Sequence, residues 1–173
     1  MERNSHGDIN NGRLIKIKVA FYNADFVISS KQNEEKLIPN YLEKIELENK
    51  YPQIFSSLTV IEKSYEKKLS EDLCLHSITL LDSILNLESS LFDLKKISKK
   101  INKLQSSPEI LKKFGVDKEF ISALDNSRII RNIKVAHKDL PLKFNIPFMV
   151  STSFAYLVIT FLEITICTGE LIN

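Results

Sequence analysis

Leu80, Ile84, Leu87, Leu91, Leu94, Ile97, Ile101 and Leu104 follow one another at steps of three or four residues. That spacing lines them up along one stripe of an α-helix. Neither glycine nor proline interrupts the chain from Ser70 to Ser107. The run predicts one long amphipathic helix, as the core helix of a bundle in preference to a coiled-coil seam. Four glycines and five prolines in 173 residues are too few for a turn-dense β-sandwich and favour long helices. The expected fold is therefore all-α, a bundle of five or six helices. The length suits one domain able to bury a core without disulfides or metals.

Punctuation along the chain places the other elements. Residues 1–12 are polar and read as a disordered tail, with a single helical domain from 13 to 173. From Leu14, Ile15-Lys16-Ile17-Lys18-Val19 alternates like a strand. Leu14, Ile17, Phe21, Ala24 and Ile28 instead keep helical steps, and helix is the preferred reading over a hairpin turning near Asn23-Ala24-Asp25. A helix is expected from about Asn40 to Lys50. Another follows with Pro52 in its first turn and Ile54, Leu58, Ile61 and Tyr65 as its stripe. Ser70-Glu71-Asp72 reads as an N-cap with acidic first-turn residues. Ser107-Pro108-Glu109 should open a short helix that Gly115 closes. Asp117 should cap the next helix, with Phe120, Leu124, Ile130 and Ile133 facing the core. Leu140-Pro141 should end it, because the residue before proline is pushed out of the helical region.

The closing stretch, Pro147 to Leu171, is almost entirely apolar and long enough to span a bilayer. Glu163 lies in its interior, and Ser151, Thr152, Ser153, Thr160 and Thr165 dilute it. A carboxylate at mid-membrane is costly, so a buried central helix is the preferred reading and a membrane anchor the rival.

Composition excludes several functions. A net charge of +2 creates no global field for nucleic acid, so any anion site must be local. Cys74 and Cys167 stand far apart among apolar residues and read as buried thiols. No Cys/His cluster with zinc spacing occurs. The polar N-terminus is no secretory signal, so a cytoplasmic protein is expected. Phosphate-loop, dinucleotide, HExxH and GxSxG motifs are all absent from the sequence, which disfavours familiar nucleotide- and zinc-dependent enzymes. No metal or cofactor is expected.

One segment remains for chemistry, Ser127-Arg128-Ile129-Ile130-Arg131-Asn132-Ile133-Lys134-Val135-Ala136-His137-Lys138-Asp139. The other histidines are His6, in the polar tail, and His76, among leucines and read as a core or boundary residue. Arg131 and His137 are six residues apart, which on a straight helix is about 120° around the axis and about 9 Å along it. They do not share a face. Convergence requires the helix to loosen near Ala136–His137, or a second copy of the motif nearby.

Arg131-Asn132 followed by Ala136-His137, late in a helical chain and ahead of an apolar closing helix, resembles the Arg-x(4–6)-His signature of the HEPN superfamily. The resemblance covers about residues 50–171, and the motif is its specific part. It implies an HEPN-like bundle and, as in many members, a metal-independent endoribonuclease of toxin–antitoxin or abortive-infection (phage-defence) type. A 2′-hydroxyl would attack the adjacent phosphate. His137 would act as general base or acid, Arg131 would stabilise the phosphorane, and Asn132 would orient the phosphate or the histidine. Arg128, Lys134 and Lys138 would contact RNA. The family's habit of placing two motifs in one cleft implies a homodimer, and an antitoxin or defence-system protein is a further implied partner. Many members carry Tyr two residues after the histidine, where this chain has Asp139.

Other readings stand beside this one. The same residues can be a solvated helix face. A non-catalytic HEPN-like module binding RNA, nucleotide or protein is the alternative to the nuclease, and a membrane-tethered adaptor using Pro147–Leu171 is the third reading. A row of lysines, Lys95, Lys96, Lys99, Lys100 and Lys103, continued by Lys112 and Lys113, could bind a phosphate backbone. Such a row is more often a solvated face, and the sequence shows no aromatic residues interleaved with it.

Overall fold

The computed structural model describes residues 37, 38, 42, 46–134 and 146–172, with only the main chain described at 131–134 and 146–147. Among the described residues there are eight helices and no strand: α1 (Leu47–Lys50), α2 (Pro52–Glu66), α3 (Ser70–Leu85), α4 (Ser89–Phe92), α5 (Ile97–Ser106), α6 (Pro108–Phe114), α7 (Lys118–Lys134) and α8 (Ile146–Thr168). The all-α expectation holds for them. The segment read as helix or hairpin at 14–30, and the expected helix end at Leu140-Pro141, lie outside the described residues.

Helix α8 is the axis of the bundle. Phe154, Ala155, Val158, Ile159, Phe161 and Leu162 have no exposed surface, and Thr160, Glu163 and Thr165 are buried with them. Each such large apolar side chain contributes about 1.5–3 kcal/mol on burial. The hydroxyls fit this apolar setting because they bond within their own helix, Thr160 Oγ1 to the Tyr156 carbonyl and Thr165 Oγ1 to that of Phe161, both at 2.8 Å. Of the most apolar window of α8, 78% is buried within the chain. By length and composition it could cross a membrane; among the described residues it is packed inside the bundle.

Helices α3, α7, α6 and α2 pack around this axis. Helix α3 starts beside the start of α8, where Ser151 Oγ donates to the Ser70 carbonyl at 3.0 Å. With that proton committed, the Cys74 thiol donates to Ser151 Oγ at 2.9 Å. Helix α7 runs antiparallel to α8, its Phe120 ring 6.1 Å from Phe161. Phe114 of α6 lies 5.2 Å from the same ring. Helix α2 pairs with α3, and its Tyr65 stacks on Phe148 of α8 at 5.9 Å.

Several signals act as the sequence implies. Tyr51, kept out of the helical region ahead of Pro52 at φ −137° and ψ 65°, separates α1 from α2. Ser107 caps α6 by accepting the Ile110 N–H at 3.3 Å, and Asp117 caps α7 by accepting that of Phe120 at 2.6 Å. Gly115 closes α6 at φ 74°, in the left-handed region.

Others are corrected. The expected single helix through Leu104 is three helices, because polar side chains at 86–93 bond the main chain and one another. Asn86 ends α3, and Glu88 accepts the Ser90 N–H at 3.4 Å and its hydroxyl at 2.9 Å, which starts α4. Lys100 then ties α5 back to α3, its ammonium 2.6 Å from both Asp82 Oδ1 and Asn86 Oδ1. The stripe is core nonetheless: Leu80, Ile84, Leu91, Ile101 and Leu104 are buried. Ser70 is the first residue of α3 and caps nothing with its side chain; Leu69 holds the cap position. Ile130 is 42% exposed, not a core anchor. Both cysteines are free thiols, Cys74 buried and Cys167 half-buried.

The Glu88 junction also ties α6 to α4, through Lys113 at 3.2 Å. Burial raises the Glu88 pKa. Hydrogen bonds from the Ser90 hydroxyl, Lys113 and the Ser90 N–H, with the charge of Lys113, outweigh this and hold the carboxyl below its ordinary value. A carboxyl lowered by folding contributes stability that is present above its unfolded pKa, about 4.3, and is lost as pH falls through its folded value. Glu88→Gln should therefore lower the melting temperature at pH 7, and the gap from the parent should narrow as pH falls below about 4.3. A gap of the same size at pH 3.5 would show that the pair contributes no pH-dependent stability.

Gly115 generates a second prediction. A left-handed φ costs an L-residue about 1–2 kcal/mol. A Cβ there would also meet Thr168 Oγ1 and lie 2.8 Å from the Gly169 nitrogen. Gly115→Ala should destabilise the protein by more than about 2 kcal/mol in urea unfolding.

Candidate functional site

Helix α7 carries the first half of the Arg–His segment. Its core contacts are set by Phe120, Ile121, Leu124 and Ser127, all buried. Phe120, Leu124 and Ser127 step by four and three along the side that meets α8. Arg131, four residues beyond Ser127, is the next register position of that stripe. Arg131, Asn132 and Lys134 belong to the last described turn of α7. His137, Lys138 and Asp139 lie outside the described residues, as does the place near Ala136–His137 where convergence requires the helix to loosen.

Arg128 is fully described and is not open to solvent. Its Nε donates to Asp125 Oδ1 at 2.8 Å, its Nη2 is also 2.8 Å from that oxygen, and its side chain is only 15% exposed. An arginine held this way stiffens one turn of α7. Its guanidinium is committed within the helix, so it has less to offer an RNA phosphate than a free surface arginine.

The start of α8 lies against Ser70 and Cys74 of α3 and Tyr65 of α2, at one end of the bundle. His76 lies on α3 near this end and is half-buried, consistent with a boundary histidine. Ile129 and Ile130, directly before Arg131, are 41% and 42% exposed. They are an apolar surface beside the candidate site that sequence reading assigned partly to the core.

Among the described residues no group of three or more His, Cys, Asp or Glu side chains is placed to hold a metal ion. A separate groove of about 530 Å³ is lined by Ile38, Leu42, Phe55 and Leu58, with Glu48, Glu62 and Glu66 at its edge. Lys63 shares that edge, so three carboxylates stand against one ammonium, a balance unfavourable to a phosphate ligand.

The lysine row sorts into two sets. Lys100 is 3% exposed and paired with Asp82, and Lys113 is paired with Glu88; both are structural. Lys95, Lys96, Lys99, Lys103 and Lys112 are exposed. Phe92, three residues before Lys95, is 65% exposed, so an aromatic ring does accompany the row. The sequence could have shown it: Phe92 breaks the stripe of steps between Leu91 and Leu94.

Comparison with protein-family models, with curated proteins and with solved structures found no match. The functional reading thus rests on the residues and on the helices that carry them.

Proposed function

We propose that the chain is a metal-independent endoribonuclease built around Arg131, Asn132 and His137, with an HEPN-like bundle as its scaffold. The observation that carries the reading is the position of Arg131 and Asn132. They sit in the last described turn of a helix bedded on the buried axis of the bundle, and His137 follows five residues after Asn132 in the sequence. A helix packed on the core is a suitable mount for a guanidinium that must meet a phosphate at fixed geometry.

The chemistry assigns each residue a role. His137, with an unperturbed pKa near 6.5, takes the proton from a ribose 2′-hydroxyl. The 2′-oxygen then attacks the adjacent phosphorus. Arg131 stabilises the added negative charge of the phosphorane with two parallel N–H donors. Asn132 orients the phosphate or the imidazole. The bond to the 5′-oxygen breaks, and that oxygen takes up a proton. Lys134 and Lys138 hold the flanking backbone.

One histidine cannot at once remove the first proton and deliver the second. A homodimer solves this by placing the His137 of a second copy on the leaving-group side. Exposed Ile129 and Ile130 beside the motif support this arrangement, because a second copy would cover them. The reading also implies a cytoplasmic setting and an antitoxin or defence-system partner to restrain the activity.

The parent should cleave single-stranded RNA in EDTA. His137→Ala and Arg131→Ala should each lower the rate by at least about 10²-fold while keeping the parent's melting temperature. RNA left intact by the parent across pH 5–9, with binding retained, would replace the nuclease by a binding module. A strictly monomeric variant that cleaves as fast as the parent would eliminate the composite site.

A further inference from the structure

The exposed lysines and Phe92 form a surface that the proposed chemistry does not use. Lys96, Lys99 and Lys103 step by three and four along one face of α5, so successive ammonium groups are carried about 5–6 Å apart along the axis. This face borders α4, because the Lys103 ammonium donates to the Ser90 carbonyl at 2.7 Å. Two residues on from Ser90, the Phe92 ring is 65% exposed, more than any other large apolar side chain among the described residues. Lys95 lies in the connection between them. Among the described residues Lys95, Lys96 and Lys99 form no ion pair, whereas buried Lys100 on the same helix does. Asp93 is the exposed carboxylate beside the ring.

We propose that Phe92 with Lys95, Lys96, Lys99 and Lys103 is a binding surface for single-stranded nucleic acid, with Phe92 stacking on an unpaired base and the lysines following the phosphates. A row of unpaired cations next to one exposed ring has this recognition chemistry. A base pair inside a duplex offers no free face to the ring. An anionic bilayer would need an apolar helix face to insert. Helix α5 has none to offer, because Ile101 and Leu104 are buried in the core. The inference rests on the RNA reading only for the nature of the natural ligand, and the surface lies outside the residues assigned to cleavage.

The test is fluorescence anisotropy with a 2′-O-methyl uridine 12-mer, which lacks the attacking hydroxyl and reports binding without cleavage. The parent should bind at 50 mM salt and lose about tenfold or more in affinity at 200 mM. Phe92→Ala should weaken binding about tenfold with the salt slope unchanged. Replacing Lys95, Lys96 and Lys99 together by alanine should flatten that slope by roughly 2, at about 0.7 per phosphate contact. All four side chains are exposed, so these variants should melt with the parent. Absence of binding by the parent, equal binding by both variants, or preference for phosphatidylserine vesicles over the oligonucleotide would each overturn the proposal. Binding without cleavage of unmodified RNA would leave this surface standing and remove the nuclease. Cleavage with binding indifferent to both variants would do the reverse.

Discussion

Helix α8 has no side that tolerates water along most of its length, and the other helices are arranged to cover it. The burial of Phe154 through Thr165 makes this the central constraint of the fold. It is why α3 starts where α8 starts, why Phe114 and Phe120 close on Phe161, and why Gly115 must turn tightly beside Thr168 and Gly169. Two of its buried hydroxyls, those of Thr160 and Thr165, bond carbonyls of their own helix, which lets them sit among apolar neighbours.

The candidate site follows from the same constraint. Because α7 beds its Phe120–Leu124–Ser127 stripe on α8, the register of Arg131 is set by core packing and not by a loop. Arg128 shows the other use of charge on the same helix: its ion pair with Asp125 serves the helix itself. Within the polar segment, Arg128 is thus the residue with a described partner of its own.

Helix starts and stops were legible where one residue type has one local effect. Pro52, Ser107, Asp117 and Gly115 each act through their own backbone neighbours, and each does so here. The break within 86–96 was not legible, because the apolar stripe keeps its phase through the break and no glycine or proline marks it. The local bonds of Glu88 and Ser90 are joined there by long-range ones, Lys100 to Asp82 and Asn86 and Lys113 to Glu88, that spacing along the chain cannot show. For the same reason the lysine row looked uniform, although folding buries Lys100 and leaves Lys95, Lys96 and Lys99 outside. Arg131 and Asn132 were legible as residues of a helix. The convergence of His137 with them concerns residues outside those described, and geometry alone required it to involve a loosened helix or a second copy.

The central claim is that RNA is cut by its own 2′-hydroxyl, with Arg131 and His137 as the protein's contribution. The most direct measurement is the chemistry of the cut ends after digestion of a defined RNA in EDTA. Attack by the 2′-oxygen predicts a 2′,3′-cyclic phosphate on one fragment and a 5′-hydroxyl on the other. A 3′-hydroxyl paired with a 5′-phosphate would mean that water is the nucleophile, and would contradict the account.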